Sequence, residues 1–210
     1  MINTNDAHNM TGRTVLSCVV TFLAVAGIGA SVFFLVSGGA NEGFLLYPTT
    51  VYLHIFLGAL YLALAPFQFS ARVRKKSLDY HRWSGRLLSA IGMILGMTAV
   101  FIGLVIPFSG LPEQIIIGFF GLLFLFSITR GFYYIRVKQV RLHREWMLRA
   151  FAIGLSIATM RLLFIPALII VGNPTQSEIE ALSIISFTLA FFLHCSFAEY
   201  WIRATRTVSA

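Results

Sequence analysis

Residues 53–87 read LHIFLGALYLALAPFQFSARVRKKSLDYHRWSGRL. From Leu53 to Phe69 this stretch has no Asp, Glu, Lys or Arg. From Arg72 to Arg86 it has six basic residues, and at Leu87 a second apolar run begins. An apolar block, a short basic turn and another apolar block is the pattern of a chain that crosses a bilayer, turns in water and returns. About 20 apolar residues span the roughly 30 Å of hydrocarbon as a helix. Lipid gives the backbone no hydrogen-bond partner, so only helices or closed barrels cross it. The runs are continuous rather than alternating, which excludes a barrel.

Working outward, the same pattern repeats. Six apolar blocks fall at about 14–36, 48–70, 87–107, 114–135, 147–171 and 179–202. The 210 residues are 58% hydrophobic and 11% charged, whereas soluble domains carry about 25% charged residues. The fold class expected is all-α: one polytopic domain over 1–210, a bundle of six transmembrane helices. The first block, VLSCVVTFLAVAGIGASVFFLV (15–36), is longer than the apolar core of a signal peptide and reads as a retained helix.

Orientation follows from the basic residues. Of the 16 Lys and Arg, 15 fall on one side of a six-span topology: Arg13, six at 72–86, six at 130–149, Arg203 and Arg206. The three opposite loops hold none, and their charged side chains are Glu42, Glu113, Glu178 and, just inside the last span, Glu180. The positive-inside rule puts both termini in the cytoplasm. The net charge of +8 is therefore a topology signal suited to anionic lipid headgroups, and nucleic acid is not expected as a partner. Cys18 and Cys195 form no metal or disulfide pattern and read as small apolar side chains.

Two features point to packing. Gly92, Gly96, Ala99 and Gly103 share one face of the third span, and Ala150, Gly154 and Ala158 share one face of the fifth; such faces let helix backbones approach closely in lipid. Trp83, Trp146 and Trp201 all fall at the basic end, half of an aromatic belt. A loose duplication is also expected. LDYHRWSGRLL (78–88) and VRLHREWMLRAF (140–151) each place His-Arg, then Trp, then Arg before an apolar run. They put His81 and His143 just ahead of a rising helix, where the positive end of the helix dipole favours neutral imidazole.

These segments resemble a family of uncharacterised bacterial membrane proteins, domain-of-unknown-function family 2306. The pattern runs His54, Pro66-Phe67-Gln68-Phe69, His81-Arg82, Gly85-Arg86, then His143, Trp146-Met147, Arg149 and Arg161. The resemblance covers the second to fifth spans and implies a multi-pass protein of the bacterial inner membrane, with no established chemistry. Ala65 stands where a Gly is expected before Pro66, a change between small residues.

Ionisable residues inside hydrocarbon are costly and mark functional sites. His54 lies about 10 Å and Arg161 about 15 Å below the outer surface, counting 1.5 Å per residue. Tyr61 and Gln68 follow His54 at heptad spacing, with Gly58 on the same face. No Asp or Glu falls deep in a span to neutralise Arg161. Its candidate partners are outer-loop Glu residues, carbonyls freed by Pro166, or a ligand. His54, Tyr61, Gln68 and Arg161 are thus expected to bind a ligand in an outward-facing cavity, where His54 and Arg161 suit the carbonyls of a quinone. His81, His143 and His194 form a candidate site on the cytoplasmic side, where two imidazoles could clamp a b-type haem. The arginines inward of His81 and His143 leave that pair interfacial and wet. The other class is non-redox: a small transporter, a lipid-handling protein, or an accessory subunit of a larger membrane complex. The missing acidic core residue weakens ion-coupled transport. HExxH, G-x-S-x-G and paired carboxylates are all lacking, so hydrolase chemistry is not supported.

Overall fold

The computed structural model describes residues 4–37 and 42–207, and all regular structure there is helical. The helices are α1 (Thr4–Ser37), α2 (Glu42–Leu46), α3 (Pro48–Phe69), α4 (Ala71–Lys76), α5 (Leu78–Val105), α6 (Gly110–Arg136), α7 (Val140–Val171) and α8 (Gln176–Thr207). Six of them, α1, α3, α5, α6, α7 and α8, are long and apolar enough to cross a membrane, as the hydropathy blocks predict.

Several helices begin earlier than the apolar blocks. α5 starts at Leu78 and α7 at Val140, where the sequence predicts starts near 87 and 147. Apolarity marks what sits in lipid, whereas capping decides where the backbone coils. Ser70 and Ser77 both hold extended backbone, and their side chains accept from Val73 N and Tyr80 N. These two N-caps cut α3, α4 and α5 apart within eight residues. His81 and His143 therefore lie inside their helices rather than ahead of them. Each is the fourth helical residue, its N–H bonded to Ser77 O (3.1 Å) or Gln139 O (3.0 Å). The α6–α7 turn is a Schellman arrangement, with Lys138 at φ 60° and bonds from Lys138 N to Ile135 O and Gln139 N to Tyr134 O.

α1, α3, α5, α6 and α7 form a closed ring in that order, with α7 returning to α1; α3 also meets α7 across it, and α8 packs outside against α7 and α6. The ring is tight where the small residues fall. A Cβ on Gly96 would meet Leu125 at 2.6 Å and Phe124 at 2.9 Å, and one on Gly103 would meet Ile117 at 2.4 Å. The predicted α5 face is therefore the α5–α6 contact. Ala150 and Ala158 of α7 are fully buried, and Ala65 is 1% exposed, so its extra methyl is accommodated. Large apolar side chains cover the outside, with Phe33 73%, Val36 83% and Ile170 84% exposed; such a surface is at home only in lipid.

α8 is tied to α7 by two arginine–carboxylate pairs at the basic end of the bundle. Arg149 donates to both oxygens of Glu199 (2.5 and 3.1 Å) and stacks over Trp146 at 4.5 Å. Arg206 donates to both oxygens of Glu145, a residue 6% exposed. Replacing Glu199 with Gln leaves a guanidinium that is 20% exposed without its counter-charge. We expect a loss of about 1–3 kcal/mol, read as a lower thermal midpoint in detergent. An unchanged midpoint would make the pair a solvated surface contact.

Candidate functional site

Arg161 projects from α7 to α1. Its Nη1 donates to Gly27 O and to Ser31 Oγ, both at 3.1 Å, and Ser31 Oγ in turn donates to Gly27 O at 2.8 Å. The partner is thus a first-helix carbonyl and a serine. Neither the outer-loop Glu residues nor the backbone around Pro166 holds Arg161 among the described residues. α1 comes this close because Gly27 has no side chain: a Cβ there would meet Leu62 at 2.7 Å and Ala158 at 3.0 Å. Both bonds use Nη1, so Nε and Nη2 remain for another acceptor among the described residues.

His54 of α3 faces α5, with Nδ1 3.0 Å from Thr98 Oγ1. Thr98 Oγ1 also lies 2.9 Å from Leu95 O and 3.0 Å from Ile94 O. In the tautomer that keeps the hydroxyl proton on its own helix, His54 Nδ1 donates to Oγ1 and Nε2 is left with a lone pair and no partner among the described residues. Arg161 lies within electrostatic reach of the His54 ring. In that tautomer the half of the bundle away from the basic end offers an acceptor, His54 Nε2, and a partly used cation, Arg161. Gly58 faces Leu95, whose Cδ1 would lie 3.6 Å from a Cβ there.

Tyr61 and Gln68 engage other partners. Tyr61 is 2% exposed at the centre of the ring. Its ring lies between Gly92 of α5 and Gly154 of α7, where added Cβ atoms would meet it at 3.3 and 3.1 Å. It meets Phe124 edge-on at 5.8 Å. This aromatic pair fills the bundle between its outer and inner halves. Gln68, about 10 Å further along α3, donates to Ser84 Oγ at 2.7 Å and lines a groove of about 210 Å3 with Tyr80 and Trp83.

At the basic end His81 and His143 lie within electrostatic reach of each other, and Arg74 acts on His81 as well. His143 Nδ1 is 2.8 Å from Gly131 O. A carbonyl only accepts, so the proton is on Nδ1 and Nε2 carries the lone pair. His81 Nδ1 is buried without a hydrogen-bond partner. The sequence reading of a wet pair is corrected to this extent: both rings are part-buried, because α5 and α7 begin below them and wrap them into their first turns. His194 does not join them through any bond among the described residues; its Nε2 is 2.7 Å from Thr159 Oγ1 of α7. No group of three or more His, Cys, Asp or Glu side chains suited to a metal ion occurs among the described residues.

Thr98, Ser31 and Thr159 could not be picked out from the sequence, since a hydroxyl on an apolar helix usually bonds its own i−4 carbonyl. Glu145 and Glu199 carried a faint signal as the two glutamates on the basic side.

A family described as "Predicted membrane protein (DUF2306)" matches residues 51–202. Among the curated proteins and the solved structures, none matches the chain.

Proposed function

Because the chain belongs to the DUF2306 family of predicted membrane proteins, and the matched segment holds both His54 and Arg161, we propose that it is a multi-pass bacterial inner-membrane protein that binds a quinone-class ligand between α3 and α7. The observation that carries this reading is the complementary pair of unused groups. Arg161 has donors left for a carbonyl or phenolate oxygen, and His54 Nε2 can accept from a hydroxyl. A quinol offers both kinds of oxygen on one flat ring with an apolar tail. The arrangement supports binding and proton acceptance at His54.

The test is a binding titration of the purified protein with a short-tailed ubiquinol analogue. His54→Phe is expected to weaken binding about tenfold, the cost of one unmet hydrogen bond. Thr98 keeps its bonds to its own helix, so folding should survive. Equal affinity for the variant would remove His54 from the site.

A second reading places a b-type haem between His81 and His143. The fixed tautomer of His143, with its lone pair on Nε2, and the unpartnered His81 nitrogen favour it. It requires intense absorption at the violet end of the visible. Coupled transport is less favoured, because Glu145 and Glu199 are both occupied by arginines.

The orientation is part of the proposal, with both termini and the turns at 70–77 and 137–139 in the cytoplasm. In a background with Cys18 and Cys195 changed to Ser, a cysteine at Asn173 should react with an impermeant thiol reagent from outside, and one at Ser77 should not. Ser109 is a poor reporter, being 6% exposed. Labelling at position 77 from outside would invert the topology.

A further inference from the structure

At the basic end, α7 and α8 enclose a cavity of about 70 Å3 lined by Arg141, Arg144, Glu145, Arg206 and Trp201, with Leu148 and Ile202 on its apolar side. We propose that this cavity binds the phosphate of an anionic membrane lipid. Three arginines face one carboxylate, and that carboxylate is already bonded through both oxygens to Arg206. The wall therefore keeps two positive charges in excess, on Arg141 and Arg144.

The direction of the helix adds to this field. Arg141 and Arg144 lie in the first two turns of α7, whose N-cap Gln139 makes no side-chain bond to the first-turn amides. The positive end of the α7 dipole is thus open to an anion. The cavity is also placed for a lipid. Glu145 and Ile202 form its buried floor. Trp201, stacked on Phe197 at 6.2 Å, and Leu148 add apolar surface to its lining. A phosphate held by the arginines leaves its acyl chains along that apolar side. A soluble phosphate ester would meet the same charges and gain nothing from the apolar wall.

The experiment is native mass spectrometry of the purified protein offered phosphatidylglycerol or phosphatidylcholine with identical acyl chains. Phosphatidylglycerol is expected to be retained in preference, by about fivefold for each of the two arginines. Arg141→Gln/Arg144→Gln should bring the two lipids to parity. The charge-matched Lys75→Gln/Lys76→Gln pair, on exposed side chains of α4, should keep the preference. Should the double variant fail to fold, Arg144→Gln alone is read the same way and should lose about fivefold. Equal retention of the two lipids by the wild type would overturn the proposal, as would a preference untouched by the α7 variants. Displacement of phosphatidylglycerol by millimolar glycerol 3-phosphate would assign the cavity to a soluble phosphate ester and overturn the lipid.

Discussion

Arg161→Leu is expected to abolish retention of a quinone-class ligand while leaving the protein folded and inserted. The guanidinium sits in hydrocarbon with one nitrogen bonded to α1 and two nitrogens unused. A charge-assisted hydrogen bond contributes about 1.5–3 kcal/mol, so its removal should weaken binding about 10- to 150-fold. Stability should not follow. Gly27 O keeps its bond from Ser31 Oγ, and leucine removes a cation whose burial is itself costly. Ser31→Ala separates the two roles. It deletes one clamp bond on α1 and leaves Nε and Nη2 untouched, so affinity should hardly move. If Arg161→Leu loses α1 packing and leaves the membrane fraction, or if Ser31→Ala matches it in every readout, Arg161 is a structural clamp and the ligand site is dropped.

The largest effect on the fold is expected from Gly96→Val. The new Cβ alone would lie 2.6 Å and 2.9 Å from two atoms of Leu125 and 2.9 Å from Phe124, and valine adds two methyl groups beyond it. Contacts from two neighbouring side chains leave no single rotamer change that relieves them. α5 must separate from α6, and Phe124 must leave Tyr61, which it meets at the centre of the ring. Overpacking of this kind costs about 1–3 kcal/mol, or about 2–12 °C in thermal midpoint for a chain of this size. Gly29→Val is the matched control, since nothing lies within 4 Å of a Cβ there. Equal midpoints for the two variants would show that α5 and α6 do not meet at Gly96.

The sequence carries the spans and the α5–α6 seam because both depend on composition along one chain segment. Twenty apolar residues can only cross lipid as a helix, and glycines on one face can only mean close approach. The early starts of α5 and α7 are a different matter. The polar first turns below His81 and His143 hid the helix from hydropathy. Tyr61 also misled, since its hydroxyl put it on a polar stripe with His54 and Gln68. Gly92 and Gly154, on two other helices, make a slot for its ring, and nothing local to α3 announces that slot. Arg161 was the clearest signal, yet its partner on α1 was illegible. A backbone carbonyl and a serine 130 and more positions away leave no charge pattern to read. The same holds for Arg149 with Glu199 and Arg206 with Glu145, pairs 50 and 61 residues apart.

The most direct measurement is organic extraction of the detergent-purified wild-type protein, with an absorbance spectrum taken beforehand. The account predicts a quinone recovered at about one per chain, lost from the Arg161→Leu variant, and a spectrum with no intense violet band. Recovery of quinone no higher than from an unrelated membrane protein purified the same way would contradict it, and a haem spectrum at one per chain would move the site to His81 and His143.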